Sequence, residues 1–227
     1  MGGGAVPRPG EVSLAHNGIL FLDESPEFRR PVLDGLRQPL EDGYVVLTRV
    51  SASLRYPARF MLIAAMNPCP CGFYGSRSHE CTCTPHQVRR YRARLSGPLQ
   101  DRLDIHVEVP AVSVQELQGQ EAAAETSAVI LSRVVEARRR QVDRYAKDGI
   151  HTNAQLKPRL LKRYCGLDKP ALDLLQQAMV KLGLSARAHG RILRVARTIA
   201  DLAGAERIHA IHVAEAIQYR SLDRRLE

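Results

Sequence analysis

Two groups of residues carry chemistry that ordinary packing does not call for. The first is Asp23-Glu24, adjacent acids directly behind the apolar run Ile19-Leu20-Phe21-Leu22. Such a run reads as a strand buried in a parallel sheet, and open α/β sheets bind ligands at the C-terminal ends of their strands. The first acid could hold Mg²⁺ beside a triphosphate, usually through water, and the second could orient or deprotonate an attacking water. A strand ending in a solvated turn with two ordinary acids is the competing reading. The second group is Cys69, Cys71, Cys81 and Cys83, in a C-x-C-x₉-C-x-C pattern. Four thiolates can close a tetrahedral Zn²⁺ site, structural because no position stays open for catalysis. His79 and His86 are substitutes if one thiol points away. Reduced loop thiols or a redox-sensitive pair fit the same spacing. Cys165 stands apart and reads as a core residue.

Three further features belong beside the acids. Asn67 ends a second apolar run, Phe60–Met66, where a polar side chain could reach the same water or a terminal phosphate, although Asn-Pro also marks a plain turn. Arg102 precedes a third short run, Ile105–Val109, at the edge of the α/β part. It could enter a neighbouring subunit's nucleotide, and taken alone it more readily pairs with Asp101 or Asp104. Arg89, Arg90, Arg92 and Arg94 crowd one segment and Arg138, Arg139 and Arg140 another. DNA phosphates, an acidic neighbour or plain solvation would satisfy them, and with few aromatics interleaved no base-stacking platform is expected.

The elements that must position these residues change character along the chain. Strands are expected at Ile19–Leu22, Phe60–Met66 and Ile105–Val109, with a hairpin from Tyr44–Arg49 and Ala52–Tyr56. A helix to about Leu40 would carry Phe28, Val32, Leu36 and Leu40 on one face, and Val88–Leu95 is expected to be helical. Beyond Pro110 the pattern is all helical: Glu121 to about Lys147, Lys157–Tyr164, Pro170–Leu182, Ala186–Leu202 and His209–Tyr219. Ser185 is the expected N-cap of the fourth, and Ile192, Ala196, Ile199 and Ala203 its apolar face. The predicted organisation is an α/β part at 1–110 and a helical part at 111–227, with the boundary near 111–120.

The bulk properties set the partner class. The formal charge is +9 over 227 residues, and only five of the basic side chains are lysine. Arginine's planar fork suits phosphate, so a nucleotide or nucleic acid is favoured, although GC-rich coding would also enrich arginine. No run of about 18 apolar residues occurs, so no membrane partner is expected. Residues 1–10 lack the apolar stretch of a secretory signal, and a cytoplasmic location is the default expectation.

Taken together, four segments in order resemble the magnesium-chelatase-like AAA+ ATPases, and within them the ComM (YifB) group. Gly10–Glu24 resembles their Walker B region, Ala65–Gly72 their sensor 1 segment, Ser96–Pro110 their arginine-finger segment and Ser185–Leu202 their lid helix with sensor 2. The resemblance implies a partial AAA+ P-loop NTPase core followed by an all-helical lid. It implies ATP and Mg²⁺ as cofactors, with Asp23 the Mg²⁺ acid, Glu24 the catalytic base and Asn67 sensor 1. Arg102 would be the finger offered to a neighbour and Arg187 the sensor 2 arginine, with Arg191 and Arg194 as weaker candidates on the same helix. The 44–57 hairpin resembles an insert that points into a ring pore, where Arg49 and Arg55 could touch nucleic acid or could simply be solvated. The implied assembly is a homo-oligomer, a hexameric ring that moves on DNA without sequence preference and drives branch migration during uptake of transforming DNA.

The phosphate-binding Gly-x-x-x-x-Gly-Lys-Ser/Thr loop does not occur, since no glycine precedes Lys147, Lys157, Lys162, Lys169 or Lys181. In the resembled family that loop lies ahead of the point matching Met1, so the chain is expected to be a C-terminal portion, incompetent alone. A chelatase-type subunit remodelling a protein partner, or an inactive oligomerisation module, are the other readings.

Overall fold

The computed structural model describes residues 2–3, 8–48, 53–76, 79–110 and 125–220. The chain is mixed α/β and divides into two compact units, Met1–Leu103 and Asp104–Glu227. Among the described residues no helix is long and apolar enough to cross a membrane.

In the first unit, Ile19–Leu22 pairs in parallel with Met61–Ala64, in the register Ile19↔Met61 to Leu22↔Ala64. Parallel pairing brings both C-terminal ends to the same edge, which sets up the site below. Only one face of this pair is covered. Leu20, Leu22 and Leu62 pack on the core of Val12, Leu33, Leu36, Val45, Leu95 and Leu99. Ile19, Phe21, Met61 and Ile63 stay exposed, so the strands are not buried on both sides as their continuous apolar runs suggested. The hairpin forms from Tyr44–Thr48 and Ser53–Pro57 in antiparallel register, with its tip outside the described residues.

The helix expected to run to Leu40 is two short helices, Arg30–Gly35 and Arg37–Asp42, joined at Leu36. The first helix begins only at Arg30, after extended backbone at Phe28, and it buries Leu33 with Leu36 while Phe28 and Val32 are exposed. The chain leaves the second helix through Gly43 at φ 73°, where an added Cβ would lie 2.9 Å from Arg59 Cγ; glycine answers both constraints. Pro85–Arg92 starts with a reciprocal cap, Thr84 Oγ1 accepting from Gln87 N–H and Gln87 Oε1 from Thr84 N–H.

The second unit is helical: Ser127–Tyr145, Pro158–Tyr164, Lys169–Lys181, Ala186–Leu202 and Ala210–Gln218. Ile105–Val109, expected as a strand, pairs with no strand among the described residues; the His106 N–H donates to Tyr219 O at 2.7 Å. Ser185 caps its helix as expected, accepting from Ala188 N–H. The buried stripe of that helix is Ile192, Ala196 and Ala200, whereas Ala203 is exposed. It packs with Tyr145, Leu156, Leu175, Ile208 and Val213 into one core.

That core encloses a charged cluster. Asp201 is fully buried and accepts from Arg144, from Arg197 Nε at 3.1 Å and from Asn153 Nδ2 at 2.9 Å. Arg197 also donates to the carbonyls of Ala205 and Glu206, which ties off the C-terminal end of the helix.

The last helix carries a pH-sensitive cap. The His209 N–H donates to His212 Nδ1 at 3.0 Å, which requires a neutral His212. Burial first, then the charges of His209 and Arg197, lowers the His212 pKa from its ordinary 6.5. The unfolded chain therefore takes the proton first, and the stability this cap contributes is complete above pH 6.5 and lost as pH falls below it. The thermal midpoint should drop by a few degrees between pH 7.5 and 5.5, and His212→Gln, which keeps an acceptor at this cap position, should flatten that slope. An unchanged slope in the variant would assign the acid sensitivity elsewhere.

Candidate functional site

The acids and Asn67 are brought to one edge by backbone hydrogen bonds that continue the parallel pair past its strands. Ala65 N–H donates to Leu22 O at 2.8 Å, and Ser25 N–H to Ala65 O at 2.9 Å. Asp23 and Glu24 thus lie between two rungs beside Ala65, with Asn67 two residues further along. To turn there, Glu24 adopts the left-handed conformation, φ 47° and ψ 44°, in which a non-glycine residue is strained. Its N–H donates to Asp23 Oδ1 at 2.9 Å, which holds the first carboxylate in place. Ser25 and Pro26 follow, fully buried, and anchor the turn.

Sequence reasoning missed the segment that braces the two strand ends. Tyr91, buried in the Pro85–Arg92 helix, has its pKa raised by burial first and then by the negative charges of Glu27 and Glu24, with a hydrogen bond from the Asn67 backbone acting the other way. The neighbouring arginines brace the same edge: Arg92 Nε donates to Pro68 O at 3.0 Å, and Arg94 Nη1 to Pro26 O at 3.0 Å and Glu27 Oε2 at 2.9 Å. Beside them opens a cleft of about 500 Å³ lined by Arg29, Arg30, Arg90 and Arg94.

The remaining predicted residues fall as follows. Arg102 is anchored in its own unit, donating to Pro98 O and pairing with Glu41 Oε1, each at 2.6 Å. Arg55 lies 3.4 Å from the centroid of the Tyr44 ring on the opposite strand of the hairpin, and Arg49 lies outside the described residues. In the helical unit Arg187 is exposed in the first turn after Ser185, and Arg191 pairs with Asp104 at 2.8 Å. Arg194 is engaged structurally, with Nε and Nη2 both donating to Leu156 O.

The four cysteines converge, all Sγ atoms within 4.8 Å of one another. Cys69 Sγ lies 3.3 Å from Cys71 and 3.7 Å from Cys81, and Cys71 lies 3.6 Å from Cys81. A tetrahedron of Zn–S bonds of about 2.3 Å has edges of about 3.8 Å, so three of the four thiols already stand near the required spacing. Two backbone amides point at the sulfurs: Tyr74 N–H to Cys69 Sγ at 3.3 Å, and Phe73 N–H to Cys71. The Phe73 amide is the main cause that brings Cys71 down to about 5. Cys81 goes the opposite way, to about 12. The Cys83 amide favours its thiolate, but desolvation and the competing thiols Cys71 and Cys69 outweigh that.

Comparison with known proteins gives the family of the chain. The family described as magnesium chelatase, subunit ChlI, matches residues 1–117, and its C-terminal counterpart matches residues 124–220. The chain is 48% identical over 227 residues to the competence protein ComM of Haemophilus influenzae, covering 100% of this chain and 43% of that protein. It is 49% identical over 226 residues to the uncharacterized protein YifB of Salmonella typhimurium, covering 100% of this chain and 44% of that protein. Against the magnesium-chelatase 38 kDa subunit of Acidiphilium rubrum it is 40% identical over 61 residues, 27% of this chain and 18% of that subunit. The chain thus spans less than half the length of the ComM and YifB relatives it matches. Two successive family matches covering nearly all of its residues place it: the chain belongs to the magnesium chelatase ChlI family, alongside ComM and YifB.

Proposed function

We propose that the chain supplies the water-activating half of an AAA+ ATPase site, a partial P-loop NTPase core in the first unit with a helical lid in the second. The observation that carries this reading is the convergence of Asp23, Glu24 and Asn67 at the shared edge of two parallel strands. ATP with Mg²⁺, when bound, supplies the phosphoanhydride bond whose hydrolysis does the work. Asp23 would hold the cation, Glu24 would take the proton of the attacking water, and Asn67 would orient that water. Tyr91 would fix Asn67 from behind. Arg102, once released from Glu41, would reach a neighbour's nucleotide, and Arg187, with Arg191 close by on the lid helix, would offset phosphate charge.

No Walker A sequence occurs within the 227 residues, so another polypeptide segment has to cradle the phosphates. The bare apolar face of Ile19, Phe21, Met61 and Ile63 supports the same view, because a parallel sheet is covered on both sides in a finished domain. The four thiols would hold a structural Zn²⁺.

The likeness to competence protein ComM, the net charge of +9 and the arginine-lined cleft support DNA as the sequence-independent substrate of a homo-hexameric ring, acting as a helicase in branch migration. The shorter match to magnesium-chelatase subunits supports a second reading, in which the motor remodels a protein partner for metal insertion. The discriminating experiment combines the chain with the N-terminal portion of a ComM relative and measures Mg²⁺-dependent ATP hydrolysis. Branched DNA should stimulate the rate severalfold. Stimulation by a chelatase partner protein and not by DNA would select the second reading.

A further inference from the structure

The cysteine loop presents two aromatic rings to solvent. Phe73 is 41% exposed and Tyr74 47%. They form the tip of a tight knuckle, closed by Gly72 N–H donating to Cys69 O at 3.1 Å and Ser76 N–H to Phe73 O at 2.9 Å. Gly72 and Gly75 bracket the pair at φ 85° and 81°, and a Cβ at either would meet nothing within 4 Å. Glycine is therefore required there by the turn and not by crowding. The amides of both aromatic residues point at thiol sulfurs, so the cysteine cluster fixes the backbone that carries the rings.

Basic groups flank the tip. The Arg92 guanidinium lies 5.0 Å from the Tyr74 centroid, and Arg89, exposed, sits one helical turn earlier on the same side. His79 stacks on Phe73 at 4.8 Å with 23° between the ring planes. The sequence separates these arginines from any aromatic run; the fold puts them beside one. A rigid pair of exposed rings next to guanidinium groups is the combination that takes an unpaired base on a ring face and its phosphate on a cation.

We propose that Phe73 and Tyr74 are a stacking platform for unpaired nucleobases of single-stranded nucleic acid, with Arg89 taking the adjacent phosphate. The inference rests on the DNA reading above and gives it a contact point. Stacking is indifferent to base identity, which suits a sequence-independent substrate.

The test is fluorescence anisotropy of the zinc-loaded chain with a labelled oligothymidylate and with a duplex of equal length. The chain should prefer the single strand. Phe73→Ala and Tyr74→Ala should each weaken that binding about tenfold, the effect of losing one stacked base, and leave duplex binding within twofold. Lys181→Ala, an exposed cation on the other unit, should change neither. Phe73→Leu and Tyr74→Leu, checked for full metal content, keep the bulk and lose the π face; they should weaken binding as the alanines do, whereas Tyr74→Phe should not. Equal binding by the leucine variants, no preference for the single strand, or no binding by the parent chain would each overturn the platform. None of these outcomes touches the motor reading, which stands or falls on stimulation of ATP hydrolysis by branched DNA.

Discussion

Cys69→Ser should strip the metal from this chain. The purified protein is expected to hold about one equivalent of zinc, and the variant close to none, because a closed four-thiolate site loses most of its affinity with one ligand gone. Cys69 is the strongest choice of the four: its sulfur is fully buried, it touches both Cys71 and Cys81, and it accepts the Tyr74 amide. The consequence should travel. Pro68, next in the chain, holds Arg92, and Asn67 meets Tyr91, so loosening Cys69 frees the segment that presents Asn67. Metal content by mass spectrometry and hydrogen exchange over residues 61–76 measure the two effects together. A parent chain with no metal and four freely titrating thiols would remove the structural zinc from the account.

Asp201→Ala should cost the helical unit about 3–5 kcal/mol, the usual penalty for deleting one partner of a buried ion pair. Arg197 is 2% exposed and Arg144 20%, and both would keep their charge without a counter-ion, while Asn153 would lose an acceptor. A domain stable by roughly 5–15 kcal/mol has little to spare after such a loss. Asp201→Asn should recover part of it by restoring a hydrogen-bond acceptor without the charge. Thermal melts followed by helical circular dichroism should rank the three proteins in the order parent, Asn, Ala. An alanine variant that melts with the parent would mean that the cluster is better hydrated than its burial indicates.

The parts that were legible in the sequence are those encoded locally. The strand ending at Asp23-Glu24, the one ending near Asn67 and the helices from Pro158 onward follow from apolar periodicity, caps and stops close in the chain. The cysteine spacing was legible too, because four thiols over 15 residues can hardly avoid meeting. What was hidden depends on distant partners. Ile19 and Phe21 read as buried because a continuous apolar run implies two covered faces, yet the sheet in this chain has one. Phe28 and Val32 fit a helical stripe, but the helix begins only at Arg30 and turns Leu33 to the core. Arg102 finds Glu41, far off in the chain, and Arg92 and Arg94, which looked like surface charge, hold the two halves of the acid edge. That bracing had no local signal at all; it exists only because residues 85–94 lie beside both strand ends.

The most direct test of the central claim is Glu24→Gln in an assembly that contains a phosphate-binding loop, with nucleotide binding and hydrolysis measured side by side. The account predicts that binding of ATP with Mg²⁺ survives within a fewfold while hydrolysis falls by at least about a hundredfold, since a base is lost and no ligand to the phosphates is. Hydrolysis at the parent rate would show that the left-handed acid behind the strand is an ordinary turn residue, and the proposed site would be wrong.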